Sequence, residues 1–131
     1  MEEVLFLTIE DVLAIHQKMI ERYGGDPTIR DLGLIDSAVM MPQQSFGGEY
    51  LHPSIASMAT AYLFHLCSNH GFGDGNKRTA VGAALVFLDV NGYELALTVD
   101  ELERITLDVA SGGLDKDCLM ELFEAAIRLS Q

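Results

Sequence analysis

The sequence predicts an all-α bundle of about six helices around a central helix pair. Three observations carry this. Apolar residues recur at three- and four-residue spacing along most of the chain. Helix-start residues (Thr8, Asp31, Thr98, Asp115) stand directly before those runs. Glycine pairs or Asn-Gly close them, while only 3 prolines interrupt 131 residues. That length favours one domain, and the 49% apolar content supplies a real core.

Thr8 caps a first helix over about Ile9 to Arg22, with Asp11 as the reciprocal partner of a capping box. Val12, Ile15, Met19 and Ile20 form its stripe, and Tyr23-Gly24-Gly25-Asp26-Pro27 stops it, with Gly24 suited to a left-handed end. Asp31 starts a short second helix to about Met40, with Leu32, Ile35 and Val39 in register and Pro42 closing it. Residues 42–52 read as an irregular or hairpin flap around Gly47-Gly48, from which Phe46, Tyr50 and Leu51 project. Pro53 fits the first turn of a third helix reaching Asn69. The fourth runs from Asn76 to about Val90 and is apolar all round, which predicts burial. Tyr93 to Leu97 reads as a short extended piece. Thr98 and Glu101 box a fifth helix ending at Ser111-Gly112-Gly113. Asp115 starts a sixth, with Leu119, Leu122, Phe123, Ala126 and Ile127 on its buried side.

The formal net charge is −12, from 20 acidic and 8 basic residues. Such a surface repels phosphate backbones, so no nucleic-acid partner is expected. Two cysteines, Cys67 and Cys118, lack zinc-site spacing and fit a reduced, cytoplasmic protein. The start Met1-Glu2-Glu3-Val4 lacks the basic region of a signal peptide, and no apolar run reaches the roughly 18 residues of a membrane span.

Chemistry concentrates in His70-Gly71-Phe72-Gly73-Asp74-Gly75-Asn76-Lys77-Arg78. His70, at the end of the third helix, can accept a hydroxyl proton. Asp74 can hold Mg²⁺, provided substrate phosphates and water complete the coordination, or it can cap the fourth helix. Gly73 and Gly75 let backbone approach an anion, and Asn76 can hold a loop carbonyl or a phosphate oxygen. Lys77 and Arg78 place two cations at a helix start, where the dipole disfavours them, and a bound phosphate resolves that conflict. There is no Walker A loop, kinase HRD set or HExxH pair. His65 reads as a core or helix-surface residue.

The segment His70 to Arg78 resembles the HxFx[DE]GN motif of the Fic/Doc family, with basic residues following. Gly25-Asp26-Pro27-Thr28-Ile29-Arg30-Asp31-Leu32-Gly33-Leu34 is similar to the N-terminal part of death-on-curing (Doc) toxins. The resemblance implies a Fic/Doc-like helical bundle with a short flap that aligns a target peptide. Fic members transfer AMP to a target hydroxyl through a motif continuing GNGRxxR. Here Lys77 replaces the second glycine and Val81 the final arginine, which resembles Doc. Gly75 leans toward Fic, because the Doc prototype has alanine there. Doc members phosphorylate elongation factor Tu and are neutralised by a Phd-type antitoxin. The resemblance therefore implies an ATP (or other NTP) substrate and Mg²⁺, with His70 as general base. It places Mg²⁺ on Asp74 and phosphates on Asn76, Lys77 and Arg78. The family's inhibitory [ST]xxxE[GN] sequence is absent.

Overall fold

The structure is a computed structural model describing residues 3–131. Met1 and Glu2, part of the stretch read for targeting signals, lie outside the described residues. Six α-helices appear in chain order: α1 Ile9–Tyr23, α2 Leu32–Met40, α3 Ile55–Asn69, α4 Asn76–Val90, α5 Val99–Ala110 and α6 Lys116–Ala126. The starts follow from caps. Thr8 and Asp11 exchange both hydrogen bonds of a capping box, as do Thr98 and Glu101. Asp31 and Asp115 each accept an N–H from the first turn they open.

Helix α3 is the centre. Every residue from Ala56 to Leu63 is buried, as are Leu66 and Cys67, and α2, α4, α5 and α6 all pack against it. Its principal neighbour is α4, so the expected central pair is present. Tyr62 meets Phe87 across their interface with ring centroids 5.0 Å apart. The Tyr62 hydroxyl accepts the Leu7 N–H at 2.9 Å, and burial pushes its phenol up to about 12.

Four expectations need correction. Pro53 precedes the helix, because the Ser54 hydroxyl is the cap and Ile55 the first helical residue. Gly24 has φ +81° but ψ −177°, so α1 ends in a mirror-extended rather than left-handed helical residue. Helix α4 is buried along Thr79, Ala80, Ala83, Ala84, Phe87 and Leu88 only, whereas Leu85, Val86 and Val90 are exposed. Apolar composition alone did not reveal that no element among the described residues covers this second face. Finally, α6 stops at Ala126, and Ile127–Leu129 leave as a strand. Leu122, placed on the buried side of that same helix, is exposed, as is Leu32 of α2.

Two small antiparallel pairs complete the chain. Ser45–Phe46 (β1) and Glu49–Tyr50 (β2) form the expected hairpin, with Gly47 and Gly48 both at positive φ in its turn. Phe46 stands 82% exposed at its end, and Tyr50 anchors it edge-on against Phe6. A 3-10 turn, Met41–Gln43, leads into it from α2. Tyr93–Leu95 (β3) pairs with Ile127–Leu129 (β4), matching Leu95 with Ile127. No helix among the described residues is long and apolar enough to cross a membrane.

Candidate active site

The loop from His70 to Gly75 joins α3 to α4, and three sets of contacts fix its path. Its backbone is stitched to the segment between α1 and α2. Gly71 O accepts from the N–H groups of Arg30 and Asp31, and Gly73 N–H donates to Thr28 O at 2.9 Å. This contact is tight: a side chain at Gly71 would run into Ile35, and one at Gly73 would meet Thr28 Oγ1 and Asp26 Oδ2. The Asn76 amide then closes the loop internally, accepting from Phe72 N–H and donating to Phe72 O, both at 3.0 Å. Finally, Phe72 is fully buried and stacks on the His16 ring at 3.8 Å, while His16 Nε2 lies 2.9 Å from Asp74 O.

His70 ends α3 with φ 51° and ψ 45°, the one non-glycine residue at positive φ among the described residues. The left-handed conformation costs an ordinary side chain about 1–2 kcal/mol relative to glycine. Its ring is exposed and makes no side-chain hydrogen bond among the described residues. Asp74 is also exposed. Its Oδ2 accepts the Asp26 N–H at 2.7 Å, so it does not cap α4. Asp26 in turn accepts from Thr28, and the Thr28 backbone and hydroxyl hold its carboxyl below the usual range.

That leaves α4 different from its five companions. Thr8, Asp31, Ser54, Thr98 and Asp115 each cap a helix with a side-chain oxygen. Gly75, at φ +82°, caps α4 with none. The first-turn N–H groups point out of the helix without a side-chain acceptor, and Lys77 and Arg78 sit exposed among them. The Arg78 guanidinium lies 4.2 Å from the centroid of the Tyr23 ring, which fixes its position.

Asp74, Gly75, Asn76, Lys77 and Arg78 line one cavity of about 720 Å³, walled by Tyr23 of α1 and by Leu102 and Leu107 of α5. Gly73 and His70 are not in that lining: Gly73 is packed on Asp26 and Thr28, and His70 stands at the other end of the loop. The structure thus gathers the cations, the amide and the carboxylate, with the imidazole four residues before Asp74 on the same clamped turn. Among the described residues no three His, Cys, Asp or Glu side chains gather into a metal cage. One exposed carboxylate does fit Mg²⁺, which commonly keeps its waters and takes its other oxygens from phosphates. Sequence reading missed His16 and Asp26 as supports of the loop. The one available signal for His16 was its place four residues after Val12 on the buried side of α1.

The loop lies within a stretch that is similar to known proteins. Residues 6–88 match the sequence model of the Fic/DOC family. The chain belongs to the Fic/DOC family. It is 40% identical over 116 residues to Toxin Doc of Mycolicibacterium smegmatis, covering 87% of each chain. It is 31% identical over 121 residues to Protein kinase doc of Escherichia phage P1, covering 89% of this chain and 94% of that one. The turn just described, from the left-handed His70 to the uncapped start of α4, lies within the matched residues.

Proposed function

We propose that this Fic/DOC member is a Doc-like toxin. It moves the γ-phosphoryl group of ATP, or another nucleoside triphosphate, to a Ser or Thr hydroxyl of a translation protein such as elongation factor Tu. The observation that carries this reading is the uncapped N-terminus of α4 with Lys77 and Arg78 upon it, on the same turn as His70. Outward N–H groups, the helix dipole and two cations together suit an anion.

In this reading His70 takes the proton of the target hydroxyl. The hydroxyl oxygen bonds to the γ-phosphorus as the bond to the bridging oxygen breaks, and the nucleoside diphosphate leaves with that electron pair. Lys77 supplies a compact charge and Arg78 a planar one, its position set by Tyr23. Together with the α4 amides they compensate charge that spreads over the phosphoryl oxygens. Gly75 keeps the backbone open to phosphate, Gly73 lets the loop pack against Asp26 and Thr28, and Asn76 preserves the loop shape through Phe72. Mg²⁺, held by Asp74, neutralises phosphate charge when bound. The exposed edge of the β1–β2 flap aligns the target segment by main-chain pairing.

Gly75 no longer favours AMP transfer. Its φ of +82° is sufficient reason for glycine whichever phosphate lies above it. The name of the mycobacterial relative supports a toxin role, and with it a Phd-like antitoxin partner in the cytoplasm. The name of the phage relative supports kinase chemistry. The test is transfer from ATP labelled at either the γ or the α position, with Mg²⁺ and elongation factor Tu. The expected result is label on the protein from the γ position alone, lost in His70→Ala. Label from the α position assigns nucleotidyl transfer instead.

A further inference from the structure

Away from the motif, three titratable side chains from three elements meet at one atom. Lys116 Nζ, at the first position of α6, lies 2.8 Å from His52 Nε2 and 2.9 Å from His65 Nε2. His52 follows the flap and is buried; His65 belongs to α3. Both Nε2 atoms lie within hydrogen-bond reach of the amine, and each accepts from it in the tautomer that carries its proton on Nδ1. His52 Nδ1 is buried without a partner, its approach to the Met41 backbone falling short of a hydrogen bond. The amine borders a second cavity of about 420 Å³, also lined by Ser54, Ser57 and Thr60. Asp117 and Glu124 are the acidic groups on its wall.

We propose that Lys116 is a reactive amine that accepts an acyl group from an acyl phosphate. The neutral Nζ lone pair bonds to the acyl carbon. The carbon–oxygen bond to phosphate breaks and phosphate leaves with its electron pair. The proton released from Nζ passes to Nε2 of His52 or His65, and no oxidant or reductant is needed. A nucleophile within hydrogen-bond reach of a base is the general arrangement for such a step, and here two bases are in reach. Burial lowers the Lys116 pKa, against the opposing charge of Asp117, and so enlarges the neutral fraction. The dipole at the start of α6 acts in the same direction. The cavity admits a small donor while Lys116 itself is only half-buried. An amide at Nζ keeps one N–H, so it serves one imidazole and not both.

The chain has three lysines, Lys18, Lys77 and Lys116, so the comparison is internal. Full-length protein is treated with acetyl phosphate across a pH series, and each lysine is followed by peptide mass spectrometry. Lys18, exposed on α1, is the reference. Lys116, with two imidazoles within reach of its amine, should be acetylated severalfold faster than Lys18 near neutral pH. His52→Gln and His65→Gln should slow Lys116 and leave Lys18 unchanged. Lys116 reacting no faster than Lys18 overturns the proposal. The wild-type profile decides the matter even where a histidine variant fails to fold.

Discussion

At the scale of single residues, the motif loop separates side chains that shape it from side chains left free. His16, Phe72 and Asn76 shape it; His70, Lys77 and Arg78 project from it. The two groups should respond differently to substitution. His70→Ala should abolish transfer while the urea midpoint stays close to wild type, because an exposed ring with no side-chain hydrogen bond contributes within about 0.5 kcal/mol. A large stability loss would mean that the ring has structural duties. His16→Ala should do the reverse first. Losing the stack on Phe72 and the hydrogen bond to Asp74 O should cost about 2 kcal/mol, with activity falling through a displaced loop. An unchanged melting temperature would contradict the support role. The chemistry-bearing residues were legible in the sequence because they are contiguous. His16 and Asp26 were not, since each acts on residues about fifty positions away, and local spacing carries no trace of that.

At the scale of elements, capping residues located helix starts well. Thr8, Asp31, Thr98 and Asp115 all stand where the sequence places them. The misplacement at Pro53 had a physical source: Pro and Ser are both good helix-entry residues, and the Ser54–Ser57 reciprocal bond decides between them. Ser54→Ala should therefore cost about 1 kcal/mol in thermal or urea unfolding, whereas Pro53→Ala should cost less. Equal losses would show that Ser54 is not the operative cap. Strand β4 was hidden for another reason. Ile127 continues the spacing of Leu119 and Phe123, so it fits a helical stripe until β3 offers it a partner. The flap was legible through Gly47-Gly48. Phe46→Ser at its exposed end should leave stability near wild type and raise KM for a protein target, if the flap aligns that target.

At the scale of the whole molecule, α3 ties the parts together, and its contacts with α6 include the Lys116 cluster. This gives the fold a specific acid response. Burial first, then the charges of Lys116 and His52, push His65 down to about 4 from 6.5. His52 is shifted in the same direction, first by burial and then by Lys116. The unfolded chain takes up these protons near 6.5, so below that pH it binds more protons than the fold. Stability is therefore fully present above about 6.5 and falls as pH drops toward about 4. Asp26 and Asp115, shifted downward by hydrogen bonds, add their own losses only below the ordinary carboxylate range. Lys116→Met should lessen the first, histidine part of the curve in urea titrations at a series of pH values, while burial, the larger cause, keeps part of it. An unchanged slope between 6.5 and about 4 would contradict the assignment.

The helical class and the central pair were readable from periodicity. The bare outer face of α4 was not, since burial depends on which neighbours arrive. The group that leaves the nucleotide separates phosphoryl from nucleotidyl transfer. Intact-mass measurement of elongation factor Tu, after incubation with unlabelled ATP, Mg²⁺ and this protein, reads that directly. A gain of one phosphoryl group, absent with His70→Ala, is the expected result. A gain of one AMP, or a gain that survives His70→Ala, would contradict it.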